Sequence, residues 1–373
     1  MPFRLTGVKW LVICSFFLIT VLGTSVNSQA ASGIVDAEDG KALIKSIDYA
    51  FHENYDRARK TITEYINKHP ERPEGYFFMA AAYFEYTNAF RDNSKIALFR
   101  KYAKLCIEKA NNYVKKNKDD AVGYFYLGAI AGYKGLVKAR EQKLISAFRQ
   151  AIISKRNLEK ALELDPTLYD SYFGLGMLYY FASKKHVEEG GLVGWIIKKF
   201  ITNNRDMRKD GIIMIKKAIA RGRLTPLYAY SALMWIMMSE KNYKTAYEMA
   251  VDEMKKYPED KHGYWVLARI AMINGNCEEA VKNFDVIIEL IKDQNLPLSK
   301  FEDVQTGLLL AQTCMNINSW KKQRITKAIR KIRMSLVDYK KIIIEYQNAR
   351  QVAKDWKKML RELEHKSRGL YAP

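Results

Sequence analysis

A pattern of 34 residues is written twice between residues 227 and 293, and it constrains the fold more than any other feature of the chain. Within each copy the apolar residues recur at intervals of three and four, which predicts helices. A short polar break divides each copy into two helices, at 239–242 in the first and at 274–276 in the second. The residues that define the copies are Tyr230, Leu233, Met234, Met237, Ala246, Ala250 and Pro258 in the first, and Tyr264, Leu267, Ala268, Ala271, Ala280 and Phe284 in the second.

A helix-turn-helix unit of this length, with an aromatic residue at position four, Leu at seven, a small residue at eight and Ala at twenty, resembles the tetratricopeptide repeat (TPR). Shorter fragments of the same pattern are Tyr124-x-x-Leu127-Gly128 and Tyr172-x-x-Leu175-Gly176. The resemblance implies an all-α fold, a right-handed α-solenoid of about seven such hairpins over residues 36–318. Glycine at position eight is expected to let the two helices of a hairpin approach closely.

The rest of the chain fits a helical array with two departures. Its 24 Tyr and 16 Phe against 8 Pro suit stacked hairpins with aromatic rings between them, and no alternating run predicts a strand. An insertion at residues 183–210, with Trp195 and Phe200, interrupts the fourth hairpin. Residues 319–373 form a basic C-terminal segment. It is predicted as one long helix, or as two joined without a clear stop, because Pro and Gly are absent from residues 320–364.

The N-terminus predicts export. Arg4 and Lys9 accompany an apolar stretch at residues 10–22 that is too short for a comfortable membrane span. Ala30 completes a small-x-small motif of the kind that signal peptidases cleave. We therefore expect residues 1–30 to be a signal peptide, cleaved after Ala30, and the mature chain to reside in the periplasm or cell envelope. An uncleaved N-terminal membrane anchor is the alternative.

Cleavage would leave three cysteines, Cys106, Cys277 and Cys314, so that one disulfide could form at most. Exported proteins that depend on disulfides more often carry an even number of cysteines. Helices also bury small thiols readily. We therefore expect three separate buried thiols rather than a disulfide and a free thiol.

No catalytic motif is present in the sequence. The five His residues show no pair at the spacing of a helical metal site, and there is no Cys-x-x-Cys, no Gly-x-Ser-x-Gly and no phosphate-binding glycine loop. His186, near Glu188 and Glu189, is a candidate metal ligand, but an ordinary solvated loop explains it better. We therefore expect a protein that is not an enzyme, with no catalytic residue, no metal site and no cofactor.

The concave face of the array is the predicted binding surface. In TPR-like arrays the first helices of successive hairpins line this face, and roughly positions two, five, nine and twelve point into it. These offsets put an aromatic side chain from nearly every hairpin into the groove, as binding hot spots do. The predicted groove residues are Phe77, Phe84, Phe125, Tyr133, Phe173, Tyr180, Trp235, Met238, Trp265 and Arg269. The alternative is that these rings pack against one another, against the insertion or against the C-terminal helix.

Two functions follow from these observations. The first is an exported scaffold or adaptor that binds a protein or peptide partner in the aromatic groove. The second comes from a resemblance to periplasmic repeat proteins associated with transporters: a binding subunit for a small apolar or lipid-like ligand. An enclosed apolar pocket beside Trp195 and Phe200 would favour the second function.

About half of the net charge of +21 lies in the C-terminal segment, where residues 321–368 carry sixteen Lys and Arg against five Asp and Glu. Apolar residues recur there every three to four positions, which predicts an amphipathic helix. We expect Ile325, Ile329 and Leu336 to face the last hairpin, so that the segment caps the array. The outward basic face would then be available to an anionic membrane surface. Export argues against nucleic acid as a partner.

Overall fold

The computed structural model describes residues 39–189, 191–317, 319–320, 322–342 and 349–370, apart from the side chains at 39, 185–193, 196, 322, 337–342, 349–354 and 369–370. Over these residues the chain is helical and has no strand, which confirms the predicted all-α class. The expected signal peptide and the side chain of His186 lie outside this description. None of the described helices combines the length and apolar character that crossing a bilayer requires.

Within these ranges sixteen α-helices follow one another along the chain. They are α1 (Asp39–Phe51), α2 (Tyr55–Lys68), α3 (Pro73–Ala89), α4 (Ile96–Lys116), α5 (Ala121–Arg140), α6 (Leu144–Leu164), α7 (Tyr169–Glu189), α8 (Gly191–Phe200), α9 (Arg208–Arg221), α10 (Pro226–Ser239), α11 (Tyr243–Lys256), α12 (Lys261–Ile273), α13 (Cys277–Asp293), α14 (Glu302–Met315), α15 (Lys322–Ile342) and α16 (Ala349–Leu370).

The described helices pair into hairpins in chain order. The pairs are α1–α2, α3–α4, α5–α6, α7–α9, α10–α11, α12–α13 and α14–α15, and the second helix of each pair packs on the first helix of the next. The additional helix α8 packs on α7 and stands between the two helices of the fourth hairpin, where the sequence predicts an insertion. Neighbouring pairs thus make an array of the kind expected for an all-α repeat.

The two copies of the 34-residue pattern start their second helices in the same way. Lys241 (φ 60°) and Gly275 (φ 77°) occupy equivalent positions, and both adopt the left-handed conformation that ends the preceding helix. Asn242 and Asn276 follow. The side-chain oxygen of each accepts a hydrogen bond from a backbone N–H three residues later, at 3.3 and 3.2 Å. The repeat in the sequence is therefore also a repeat of local geometry.

The glycines at position eight allow close helix packing, as expected. A Cβ atom at Gly176 would lie 2.6 Å from the carbonyl oxygen of Gly211 on α9, and one at Gly211 would lie 2.6 Å from that of Gly176. A Cβ at Gly128 would lie 2.7 Å from the Leu158 side chain on α6. Because the backbones of α7 and α9 already touch, neither of their glycines can carry a side chain unless the helices move apart.

The basic C-terminal segment folds back on the last hairpin. Helices α15 and α16 pack on each other, and both pack on α14. Ile325, Ile329 and Leu336 are buried in one cluster with Leu310 of α14, which confirms the predicted docking. The sequence leaves one long helix or two as alternatives, and since α15 and α16 pack on each other, the single long helix is wrong and the segment has two.

A disulfide links the last two hairpins. Cys277, at the start of α13, is bonded to Cys314 in the last turn of α14, with 6.0 Å between the Cα atoms. The expectation of three separate thiols is therefore wrong for this pair, and Cys106 alone is a free, buried thiol among the described residues. The sequence shows only that the two cysteines are 37 positions apart. It does not show that these two helix ends meet.

Candidate functional site

The ten residues predicted to line a groove lie mostly inside the protein. Six of them are buried: Phe77, Phe84, Phe125, Tyr180, Met238 and Arg269. The other four, Tyr133, Phe173, Trp235 and Trp265, are half-buried and pack against the same hydrophobic clusters. These positions match the alternative in which the rings pack against the chain itself. A partner-binding role for these residues remains a prediction.

In the N-terminal hairpins the rings fill the space between α3 and α5. The Phe77 ring lies 6.4 Å from Phe125 and 5.9 Å from Tyr133, and the Phe84 ring lies 4.9 Å from Tyr133 in an edge-to-face arrangement. The Arg140 guanidinium lies 4.7 Å from the Phe84 ring centroid. Such geometries are favourable for aromatic pairs and for a cation over a ring. The stripe of aromatic residues is therefore largely core.

In the C-terminal hairpins α16 covers the predicted groove. Trp265 packs edge-to-face on Trp356 at 5.7 Å, and Arg269 donates a hydrogen bond to Asp355 at 3.1 Å. Both partners belong to α16, and the Arg269 side chain is 5% exposed. Helix α16 thus covers the part of the concave face where the sequence predicts a binding partner.

The chain also closes on itself at a seam between its N-terminal and C-terminal hairpins. Glu53, between α1 and α2, forms an ion pair with Lys261 at the start of α12, although 208 positions separate them. The Lys261 ammonium also donates to Gln294 at 2.8 Å. The two charged side chains are only 5% and 9% exposed. Close by, the Tyr257 hydroxyl donates to Asp48 at 3.2 Å.

A second contact extends the seam by one hairpin. Arg91, between α3 and α4, forms a two-pronged ion pair with Asp303 and donates to the Lys300 carbonyl oxygen at 2.8 Å. Its guanidinium lies 4.5 Å from the centroid of the Phe301 ring. Two successive turns of the first hairpins therefore contact two successive links of the last hairpins. These contacts bring the first two hairpins against the last two.

Polar side chains from four first helices lie near one another. They are Glu85 on α3, Tyr133 on α5, Tyr228 on α10 and His262 on α12, and each keeps part of its surface exposed. Burial raises the pKa of Glu85, Tyr133 and Tyr228, and the charge of Glu85 adds to the rise at both tyrosines. These side chains are partly exposed, yet the surrounding protein excludes enough water to raise their pKa. Both properties together are typical of side chains in a recess. We call this site the central recess.

The imidazole of His262 is held by Asp260. Its Nδ1 atom lies 2.7 Å from Oδ1 of Asp260, and the same oxygen accepts a hydrogen bond from the His262 backbone N–H at 2.9 Å. The charge of Asp260 raises the pKa of His262 to about 9, against the effect of burial, so the ring is an imidazolium at neutral pH. The side chain is still 49% exposed. Its cationic edge is therefore presented to the recess.

Glu253, on α11, is a further titratable group near the recess. Ser231 donates to one of its carboxyl oxygens, whereas the other is buried and has no hydrogen-bond partner in the described part of the chain. Burial, followed by the charge of Asp260, raises the pKa of Glu253 to about 7. The Glu253 carboxyl group therefore titrates near neutral pH, and one of its oxygens lacks a hydrogen-bond partner in the described part of the chain.

The recess contains opposite charges that do not touch. Glu85 accepts only long hydrogen bonds, from Asn88 at 3.3 Å and Tyr133 at 3.4 Å. The charge of His262 lowers the pKa of Glu85, against the larger effect of burial, so the two groups are close enough to interact. No hydrogen bond or ion pair between Glu85 and His262 occurs among the described residues. Glu85 and His262 therefore lie near each other without a direct contact.

The sequence contains a signal for two of the recess residues. Tyr228 and His262 are 34 positions apart, and both occupy position two of the repeat, which points to the concave face. The predicted groove residues are mostly aromatic and do not include Glu85 or His262. Their common location depends on the seam, which no local pattern reveals. In the described residues, no cluster of His, Cys, Asp and Glu side chains is suited to hold a metal ion.

No protein-family model matches the sequence, and no curated protein is significantly similar to it. The likeness to TPR proteins therefore depends on the repeat residues themselves and on the shared helix starts at Asn242 and Asn276. Function has to be argued from the chemistry of the recess and of the surface.

Proposed function

We propose that this protein is a non-catalytic binding protein that holds a small zwitterionic ligand in the central recess. The observation that carries this proposal is the placement of an acidic side chain, Glu85 on α3, near the Asp260-bound imidazole of His262 on α12 without a direct contact between the two. A free amino acid or a betaine carries the complementary charges. Its ammonium would lie at Glu85 and its carboxylate at His262.

The surroundings of the two charges favour such a ligand. Hydrogen bonds to charged groups are roughly twice as strong as neutral ones, and partial exclusion of water strengthens them further. Burial raises the pKa of Tyr133 and of Tyr228, so both hydroxyls stay neutral and can donate or accept hydrogen bonds. Their rings pack on Phe77, Phe84 and Phe51, which fixes the direction of the two hydroxyls.

The two functions inferred from sequence have less support. A peptide in the concave groove would need rings such as Phe77 and Tyr180 that are buried in the core, and the face around Trp265 is covered by α16. Trp195 and Phe200, beside which an apolar pocket was expected, are 51% and 49% exposed. Exposed rings do not enclose an apolar ligand. A charged recess therefore replaces both an aromatic groove and an apolar pocket in our proposal.

We also propose that the hairpins form a right-handed solenoid of the TPR type. The support is the 34-residue register, which recurs in the left-handed residues Lys241 and Gly275 and in the capping residues Asn242 and Asn276. A tightly wound array of this kind would bring its first hairpin back to its sixth, as at the Glu53–Lys261 pair. The seam would then be the contact between successive turns.

We further propose that the protein works outside the cytoplasm. The Cys277–Cys314 disulfide supports this location, because such bonds persist in oxidising compartments. The charged start, apolar stretch and small-x-small motif ending at Ala30 support a cleaved signal peptide. Burial raises the pKa of Cys106 and keeps this thiol out of disulfide exchange.

Thermal unfolding with a defined ligand panel tests the zwitterion proposal. The panel contains the common amino acids, γ-aminobutyrate and glycine betaine. Choline provides the cation alone, acetate the anion alone and palmitate an apolar chain. A ligand that binds only the folded protein raises the melting temperature, and the stabilisation increases with the logarithm of the ratio of ligand concentration to Kd. We expect at least one zwitterion to raise the melting temperature, and choline and acetate to have no effect at the same concentration.

Substitutions in the recess show whether the effect arises there. Glu85→Gln and His262→Asn should each weaken binding of the active zwitterion by about tenfold or more, because each removes one charge-assisted contact. Glu248→Gln, at an exposed position on α11, is the matched control and should bind as the unmodified protein does. If palmitate alone stabilises the protein, the ligand is apolar and the proposal is wrong. An unresponsive protein across the whole panel also refutes it.

A further inference from the structure

Four large apolar side chains on α6 and α8 are exposed on the surface of the protein. Leu144 and Ile145 at the start of α6 are 61% and 81% exposed, and Trp195 and Phe200 on α8 are 51% and 49% exposed. We call these four residues the docking patch. Exposed apolar residues scattered singly are ordinary, but a group of them marks an interaction surface.

The docking patch is continuous across the two helices. The ring of Phe148, one turn after Leu144 on α6, lies 6.4 Å from the ring of Phe200. The Lys199 ammonium joins the aromatic residues of α8, at 5.1 Å from the Trp195 ring and 5.7 Å from the Phe200 ring. One ammonium group therefore lies beside both exposed rings of the insertion.

The insertion is attached firmly on the side that faces the protein. Ile201 is 3% exposed in the main hydrophobic cluster. After the turn that follows α8, the Met207 backbone N–H donates to the buried Ser183 hydroxyl at 2.9 Å. Thr202 donates to the Lys198 carbonyl oxygen at 3.1 Å, which closes the end of α8. The exposure of Trp195 is thus a property of a fixed helix and not of a loose chain end.

The surroundings of the docking patch are basic. Residues 138–149 and 191–205 together contain seven Lys and Arg and a single acidic residue, Glu141. That carboxylate pairs with Lys143 at 3.0 Å and also with Arg100 and Lys138. Its charge is therefore neutralised locally. An apolar centre with Trp, Phe and Lys side chains and a basic rim has the composition of helices that lie in the headgroup region of membranes.

We propose that the docking patch inserts into the surface of an anionic bilayer, with Ile145, Trp195 and Phe200 entering the interface and the basic side chains meeting the lipid headgroups. The C-terminal helices, which the sequence favoured for this role, are basic too, but their apolar residues Ile325, Leu336 and Trp356 are buried. Charge alone gives weak attachment, whereas charge combined with exposed apolar area gives stable attachment. This proposal is independent of the ligand in the central recess.

Flotation with lipid vesicles tests the proposal on the full mature chain. Vesicles of phosphatidylcholine and phosphatidylglycerol at a ratio of three to one provide the anionic surface, and pure phosphatidylcholine provides the neutral reference. We expect binding to the anionic vesicles only, with a decrease at high salt because ions screen the headgroup attraction. Ile145→Asp and Trp195→Ala should each lower the bound fraction about tenfold or more. Tyr247→Ala, a 40% exposed aromatic position on α11, is the matched control and should bind normally.

The charged rim is tested separately from the apolar residues. The double variant Lys198→Glu, Lys199→Glu should lose most of its binding to anionic vesicles. The equivalent double change at Lys255 and Lys256, exposed residues of α11, should retain it. Brominated lipid should quench part of the tryptophan fluorescence, and Trp195→Phe should abolish that quenching while the other tryptophans remain.

Three results would overturn the proposal. Flotation that is unchanged by Ile145→Asp and by Trp195→Ala would show that another surface carries the attachment. A complete lack of binding to anionic vesicles would exclude the membrane as occupant. A dimer that Ile145→Asp converts to a monomer in light scattering, without any effect on flotation, would show that the patch is an interface between copies.

Discussion

The ion pair at the seam gives a sharp test of how the chain is closed. Replacing Lys261 with Met removes the cation that faces Glu53, while the apolar stem beside the Phe90 ring is kept. Because the Glu53 side chain is 5% exposed, its carboxylate would lie buried without a counterion. Breaking a buried pair in this way costs about 3–5 kcal/mol of unfolding free energy.

The double variant separates the pair from its surroundings. Burial raises the pKa of Glu53 even with Lys261 in place, so the carboxylate is already costly in the folded protein. Glu53→Gln combined with Lys261→Met removes both charges and leaves an amide next to Gln294, which accepts and donates hydrogen bonds. We expect this protein to recover most of the loss, to within about 1–2 kcal/mol of the unmodified chain.

Chemical denaturation followed by circular dichroism measures these differences. Lys255→Met is the control, because Lys255 and Asp252 form an ion pair at which both side chains are mostly exposed, and such pairs contribute about 0.2–1 kcal/mol. The reasoning fails if Lys261→Met costs no more than this control, or if the double variant is as unstable as the single one. The cost of Lys261→Met should also shrink at acidic pH, where Glu53 is protonated and carries no charge to bury.

Three further predictions follow from single features of the fold. Folded Glu253 keeps its proton up to about pH 7, whereas the unfolded residue loses it near pH 4.5. The free energy of unfolding should therefore decrease as the pH is raised from about 4.5 to about 7. Glu253→Gln should flatten that part of a melting temperature series measured against pH. Gly176→Ala should cost about 3 kcal/mol or more in urea denaturation, because a Cβ would strike backbone. Gly132→Ala, where the nearest atom is 3.6 Å away, should be neutral or stabilising by up to about 1 kcal/mol. Replacing Cys277 and Cys314 with Ser should cost about 3–4 kcal/mol under non-reducing conditions, given the 37-residue separation. With reductant present, this difference from the unmodified protein should disappear.

The local structure could be predicted from the sequence because its causes are local. The spacing of Tyr230, Leu233 and Ala246 indicates two helices and the distance between them. Asn242 satisfies a free backbone N–H at a helix start, a role that its residue type favours. Gly176 lies where the backbones of two helices are in contact, and a glycine at this position of the repeat predicts such a contact. Each of these inferences needs fewer than 40 neighbouring residues, a distance on the order of one TPR-like repeat.

The seam and the recess could not be predicted in this way. Glu53 and Lys261 are ordinary charged residues in ordinary turns. They are 208 positions apart and come into contact only when several hairpins have stacked. The direction of that stacking depends on small rotations between neighbouring pairs, which no residue pattern encodes. The aromatic stripe was visible from the sequence, but its burial was not. A ring on a concave face is exposed in a wide array and buried in a tight one.

Closure at the seam and binding in the recess are thermodynamically linked. A ligand between Glu85 and His262 would contact the second hairpin and the sixth at once, and these are on opposite sides of the seam. Such a ligand binds the closed arrangement better than an open one, and so it stabilises the seam. A change that lowers the closed fraction of the protein must weaken the apparent affinity by that same fraction. Lys261→Met should therefore lower the affinity of an active zwitterion without touching Glu85 or His262, and the double variant with Glu53→Gln should restore much of it. If Lys261→Met raised the open fraction of the folded protein but left the affinity unchanged, the ligand would bind on one side of the seam only.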